Sequence, residues 1–194
     1  LVLRMADITA YEYILVGACD DTYLNKGDSY LPKSITTLAY CVNNQIVENM
    51  TYELQGTPCQ VALNDDICIY DDKVSELFPS DVFLSDHRIR SYVGKTLYDS
   101  EGKAIGVIAL LNTKPLVDRS VIDIVSIFSS RVAVELERLN NLQHLIQTQQ
   151  KLALHVENTP LGVVYFDNEN KIIDWNYSAE KIFDLSRKTI IGKP

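Results

Sequence analysis

Apolar positions set the first expectations. The opening "ADITAYEYILVGACDD" begins with helical spacing and then turns strand-like, predicting a strand from Tyr13 to Ala18. "SITTLAYCV" alternates, is rich in β-branched and aromatic residues, and stops at the turn pair Asn43-Asn44, so it predicts a second strand. "ENMTYEL" predicts a short third, and "ICIYD" (Ile67 to Asp71) a short buried one. "DKVSELF" has the spacing of a short helix stopped by Pro79. "RSYVGKTLYDSEGKAIGVIALLN" is a hairpin: a strand, the turn "DSEGK", and a strongly apolar strand through Leu111. About six strands interleaved with short helices predict an α+β fold with one antiparallel sheet.

The period changes at Asp118. From there to Asn158 the chain has no Pro or Gly and carries apolar residues at three- and four-residue spacing, with Asp118 placed to cap a helix. About forty helical residues would extend about 60 Å, longer than the domain they leave. A heptad register puts Val132, Leu139, Ile146 and Ala153 at one seam position and Glu135, Leu142, Gln149 and Val156 at the other. The polar entries Glu135 and Gln149 make the repeat imperfect. A helix packed entirely on its own domain is the alternative, but the far half is too polar for one domain to cover. A parallel helical dimer is the favoured expectation. After Pro160 the pattern changes again: "LGVVYFD" and "KIIDWN" predict strands, "NEN" a turn and "SAEKIFDL" the start of a helix. That is too little to bury a full core, so a second domain is expected to begin here and be cut short. The expected boundaries are 1–134 for the first domain, 135–155 for a helical linker continuous with its last helix, and 156–194 for the fragment.

Composition narrows the function classes. The 46% hydrophobic and 23% charged shares are those of a globular protein. A net charge of −8 and a pI near 4.8 argue against nucleic acid and anionic lipid as partners. The longest apolar run, Ala104 to Leu111, is too short to span a bilayer, so no direct membrane contact is expected. The opening Leu1-Val-Leu-Arg lacks an initiator Met and suggests a piece of a longer protein, whose parent could be membrane-anchored. Cys19, Cys41, Cys59 and Cys68 form no C-x-x-C pair and no zinc pattern. Scattered thiols fit a reducing cytoplasm, with neither structural zinc nor a disulfide framework.

Four blocks in order, "MTYELQGTPCQVAL", "VSELFPSD", "SYVGKTLYDSEGKAIGVIALL" and "FSSRVAVELERL", resemble a bacterial GAF domain over roughly residues 10–140. The likeness is to the subgroup of sensor histidine kinases and diguanylate cyclases. "VENTPLGVVYFDNENKIIDWNYSAEKIFDLSRKTIIGK" resembles the opening of a PAS domain, chiefly through the W-N-x-x-A-E-x-I-F block of Trp175 to Phe183. The resemblance implies cytoplasmic input or relay modules, often parallel dimers whose helical linkers pass signals to an output domain downstream. It also implies a cavity between the sheet and the layer from Gly56 to Ile89. There are departures. Thr96, preceded by Lys95, stands where the family usually has Pro. The N-K-F-D-E motif of cyclic-nucleotide binders, the Cys-His pair of bilin binders and the flavin-binding Cys motif are absent, so no cofactor is assigned.

Candidate chemistry centres on "ELQGTPCQVAL". Thr57 can cap a helix by accepting the N–H of Gln60, whose side chain would reach back to the N–H of Thr57. Pro58 then falls at the first helical position and Cys59 in the first turn. As a rival, the helix N-terminus would activate Cys59 as a redox sensor, but no second Cys and no base lies close in sequence. "HVENTPL" imitates the histidine-kinase phosphoacceptor box, yet Val156 replaces the acidic residue that follows the histidine there, so phosphotransfer at His155 is not expected. His87 and His144 are expected at the surface. The pairs Asp20-Asp21, Asp65-Asp66 and Asp71-Asp72 fit solvated turns better than metal or acid–base work. No nucleophile elbow, P-loop or dinucleotide fingerprint appears, and catalysis within the segment is not expected. Cys59, Tyr70, Phe78, Leu84 and Tyr92 are the ligand-pocket candidates; that they simply fill the core is the rival reading. The dimer seam is assigned to Val132, Leu139, Leu142, Ile146, Ala153 and Val156. The favoured function is a sensory and relay module with a small-molecule or partner signal. A ligand-free dimerisation module and a chromophore-bearing photoreceptor are the alternatives.

Overall fold

The run Ala104–Asn112 is apolar almost throughout because the strand it forms is covered on both faces. The computed structural model describes residues 1–20, 23–26 and 29–194. It divides into two units, Leu1–Arg138 and Leu139–Pro194. In chain order the first unit contains α1 (Val2–Thr9), β1 (Tyr13–Cys19), β2 (Tyr23–Lys26), β3 (Ser29–Pro32), β4 (Ser34–Val42), β5 (Gln45–Ile46) and β6 (Thr51–Glu53). It continues through α2 (Pro58–Asp65), β7 (Ile67–Tyr70), α3 (Val74–Leu77), α4 (Val82–Asp86), β8 (Ser91–Tyr98) and β9 (Ala104–Asn112), and α5 (Ser120–Asn158) follows. The second unit adds β10 (Val164–Phe166), β11 (Ile172–Trp175), α6 (Tyr177–Phe183) and α7 (Arg187–Ile190).

A seven-stranded sheet runs in the order β5-β4-β1-β9-β8-β7, with β6 also paired to β4, and all its pairings are antiparallel. Alternation along its central strands sorts side chains between two cores. Ile14 and Val16 of β1, Val93 and Leu97 of β8, and Ile108 and Leu110 of β9 face α1 and α5. Leu15, Tyr92, Val107, Ala109 and Leu111 face α2, α3 and α4. The first unit is thus a three-layer sandwich, with the sheet between two helical layers.

The α+β architecture matches the expectation, and several boundaries differ. The sheet has seven strands rather than about six, and the β2–β3 ribbon, a sheet of its own, was not anticipated from the pattern. α4 and α7 are too short for periodicity to announce. The long helix starts at Ser120, one residue later than a cap at Asp118 requires, and Asp118 accepts the Ser120 N–H at 2.9 Å from just ahead of the N-cap position.

Val132 requires a correction. It is buried in the core against the sheet with Ala133 and Leu136, so it cannot also face a second chain. Seven-residue spacing alone does not tell a domain-facing stripe from a partner-facing one. From Leu139 onward the assigned seam residues belong to the second unit: Leu139, Leu142 and Ile146 are 40%, 48% and 46% exposed, Ala153 is exposed and Val156 half-buried.

Within the second unit the W-N-x-x-A block has a clear structural reason. Trp175 and Ala179 are buried with Ile172, and Asn176 caps α6 by accepting the N–H of Ala179 at 3.0 Å. The same side chain accepts from Val163 N and donates to Val156 O and Leu161 O, so one buried amide satisfies three backbone segments.

Candidate functional site

The first turn of α2 is built as the sequence predicts, with one change. The Thr57 hydroxyl accepts the Gln60 N–H at 3.3 Å, and Pro58 and Cys59 occupy the first two helical positions. The reciprocal arm differs: Gln60 Oε1 accepts from Gly56 N at 3.0 Å, not from Thr57. Thr57 N already donates to Leu54 O at 3.1 Å, and the Thr57 hydroxyl to the same oxygen at 2.8 Å. Gly56 takes a φ of 77°, which lets its N–H point at the Gln60 side chain.

Cys59 sits where two phenols converge. Tyr92 Oη, from β8, donates to Cys59 Sγ at 3.2 Å, and Tyr52 Oη, from β6, at 3.3 Å. Tyr92 is fully buried. Its ring lies along its own strand over Gly94, where a Cβ would stand 2.2 Å from the phenol oxygen. The "YVG" of β8 and the "TPC" of α2 are therefore one device: the missing side chain at Gly94 lets the Tyr92 ring reach the thiol. Tyr52 is not among the sequence candidates, although it stands in the block that carries Cys59.

Burial pushes the Cys59 thiol up to about 11, and the hydrogen bonds from Tyr52 and Tyr92 only partly oppose it. Burial likewise holds both phenols well above their usual range. A redox-sensing thiol needs the opposite shift. Labelling of the native protein with a small thiol reagent near pH 7 is accordingly expected to be slow at Cys59 and to become fast only in denaturant. Rapid native labelling at this residue would reinstate the sensor reading.

The other assigned pocket residues gather on the same face of the sheet. Leu84 is 1% exposed. Tyr70 and Phe78 are half-buried and meet edge to face with ring centroids 5.1 Å apart, and Tyr70 lies 6.4 Å from Tyr92. All five thus belong to one cluster. His87 is exposed and stacks on Phe83 at 4.2 Å, with Tyr13 against its edge. His144 and His155 lie exposed on α5.

Thr96, the departure from the usual family proline, ties α2 to the sheet. Its hydroxyl donates to Ala62 O at 2.7 Å and its N–H to Asp66 O at 2.7 Å. A proline could make neither bond. Lys95 beside it pairs with Asp66 at 3.0 Å.

The acidic pairs are structural where they are described. Asp72 takes a two-pronged contact from Arg90 at 2.8 and 2.6 Å, which lowers its pKa. Asp71 pairs with Arg119, and its backbone oxygen accepts Leu116 N at 2.7 Å. Asp20 accepts from Ser34 Oγ at 3.0 Å, while Asp21 lies outside the described residues. Among the described residues no group of three or more His, Cys, Asp or Glu could hold a metal ion. No helix among them is long and apolar enough to cross a membrane.

With this geometry in place, comparison with known proteins is decisive for the family. The family model described as "GAF domain" matches residues 3–136. The chain belongs to the GAF domain family. A search of curated protein sequences returns no match. Solved structures with the same GAF fold include residues 122 to 287 of a methyl-accepting chemotaxis protein, with a TM-score of 0.53 and 17% identity over 73% of this chain and 87% of that one. The PixJ GAF domain of Thermosynechococcus elongatus, in its blue-light-absorbing form, gives 0.54 and 18% over 77% and 88%. The GAF domain of an Acinetobacter phosphoenolpyruvate-protein phosphotransferase gives 0.53 and 12% over 74% and 81%. At these identities the likeness is one of fold.

Proposed function

We propose that this chain is a cytoplasmic sensory and relay region of a bacterial signal-transduction protein, a sensor histidine kinase or a diguanylate cyclase. In this reading a GAF domain passes a small-molecule or partner signal through a paired helix to an output domain. Residues 156–194 are the N-terminal part of a PAS domain, and the segment itself performs no catalysis. The observation that carries the reading is the placement of α2 and α5 on opposite faces of one sheet within a GAF domain. A change at the layer of Cys59, Tyr52 and Tyr92 has only the sheet to cross before it reaches a helix that continues to Asn158. Chemotaxis and photoreceptor proteins among the GAF neighbours support a signalling role.

The signal acts by biasing the packing of two α5 helices in a parallel homodimer. Leu139, Leu142 and Ile146 are large, apolar and exposed, as residues awaiting a partner helix would be. Replacing Leu139 and Ile146 together by Asp is expected to convert a dimer to a monomer, read by light scattering. Because both side chains are already exposed, the melting temperature of the 1–138 unit should hold. A wild type that is monomeric at high concentration would sink the paired-helix mechanism. Native mass spectrometry of freshly purified protein tests the ligand: a bound mass supports the sensor. An empty dimer favours a ligand-free dimerisation module, the reading supported by the complete burial of Tyr92 and Leu84 among protein atoms.

A further inference from the structure

The β8–β9 hairpin touches both helical layers, and its two ends do so differently. Along β8, Tyr92 donates to Cys59, Thr96 to Ala62 O and Asp66 O, and Lys95 pairs with Asp66, so the strand is fastened to both ends of α2, at its first turn and at its C-terminal cap. The tight turn that follows is closed by Asp99, whose carboxylate accepts the N–H groups of Glu101 and Lys103 at 3.0 and 2.8 Å. At its tip, Ser100 reaches the opposite helical layer. Its N–H donates to Glu137 Oε2 at 3.2 Å and its hydroxyl to Glu137 Oε1 at 2.5 Å.

Glu137 is the second-last residue of the first unit. Upstream of it, α5 rests on the sheet through Val125, Val132, Ala133 and Leu136, contacts that are apolar and carry no direction. Leu136 fills the space over Gly106, where the strand has no side chain of its own. The other end of the helix is pinned just before its first turn, where Arg119 pairs with Asp71 just past β7. The helix is thus held by a polar contact near each end of its domain-bound stretch, with an apolar bearing between them.

We propose that the β8–β9 turn is a latch on α5, and that the grip of Ser100 on Glu137 carries displacements of α2 to the helix at the point where it leaves the GAF domain. This deepens the relay reading and rests on it for its purpose, while the latch is measurable without a ligand. Ser100 and Glu137 hold together at the surface, so the contact is weak enough to open and close within a folded domain. When it holds, a shift of α2 that drags β8 along its length moves the turn and the helix with it. When it opens, the apolar bearing lets the end of α5 move independently of the hairpin.

Amide hydrogen exchange on the whole chain tests the proposal in two steps. Ser100→Ala removes the hydroxyl bond but keeps the N–H on Glu137, and is expected to speed exchange of residues 133–138 about five-fold, the loss of roughly one exposed hydrogen bond; Glu137→Ala removes both bonds and should speed it more, with α2 unchanged in each. Glu137→Gln, which keeps an acceptor, should restore most of the protection. Unchanged exchange in both alanine variants overturns the latch. The second step asks for coupling. Tyr92→Phe removes the hydroxyl that fastens β8 to Cys59, and it is expected to speed exchange at 133–138 in the wild type but not in Glu137→Ala, which lacks both bonds to the turn. An equal effect in both backgrounds, or none in the wild type, overturns the transmission through Ser100. A ligand-free chain by mass spectrometry that still passes both steps would sink the sensor reading alone and leave the latch standing.

Discussion

Gly106→Ala is expected to destabilise the 1–138 unit by about 3 kcal/mol, the upper end of what overpacking a core usually costs. A Cβ at this position would lie 2.3 Å from the Gly17 carbonyl oxygen and 2.9 Å from Leu136 Cδ2. Leu136 could adopt another rotamer, but the carbonyl belongs to the backbone of β1. That strand is held beside β9 by six consecutive register pairs, from Tyr13↔Leu111 to Ala18↔Gly106. Making room means parting two central strands of the sheet. Urea unfolding should show a lower midpoint with the slope kept, since the surface exposed on unfolding is nearly the same. A midpoint equal to that of the parent would show that the strands separate more easily than this packing implies. With domains stable by only about 5–15 kcal/mol, such a loss is a large part of the whole.

Tyr92→Ala should cost about 3–5 kcal/mol, as removal of a fully buried aromatic ring usually does. The ring is 0% exposed, packs near Tyr70, and fills the space above Gly94. Tyr92→Phe separates the ring from its hydroxyl and should cost only about 1 kcal/mol, the worth of an ordinary hydrogen bond. The two effects predict a coupling. Gly94→Ala is severe in the wild type, where its Cβ meets the Tyr92 ring at 2.6 Å, and mild once the ring is gone. A four-variant cycle by thermal unfolding would measure it. Equal costs for Tyr92→Phe and Tyr92→Ala, or additive effects at Gly94 and Tyr92, would contradict the account of the α2 layer.

Much of this arrangement is legible in the sequence. β4 was read with both its ends, because alternation and the Asn43-Asn44 turn are local signals. The helix end at Asn158 followed from Thr159-Pro160, and the α2 entry from Thr57, Pro58 and Gln60. Five pocket candidates chosen for their type and place do share one cluster. Where the structure departs from the motif, a hydrogen bond or strand pairing outside the motif is the reason. Gln60 turns to Gly56 because Leu54 O, brought close by the turn, already holds the Thr57 N–H. Tyr52 joins the thiol because β6 pairs with β4 and so aims it at α2.

The main strands, the GAF likeness and the length of the last helix are properties of the sequence by itself, because capping, turn formation and periodicity act over a few residues. Which apolar stripe of α5 the domain keeps was decided only in three dimensions. Val132 and Leu139 are alike in type and heptad position, yet one is sealed against the sheet and the other is 40% exposed. The physical reason is that burial depends on what the far side of the sheet supplies, here β1, β8 and β9 from distant parts of the chain. The same holds for Ser100 and Glu137, whose contact spans 37 residues and exists only because the hairpin turn and the last stretch of α5 in the first unit meet.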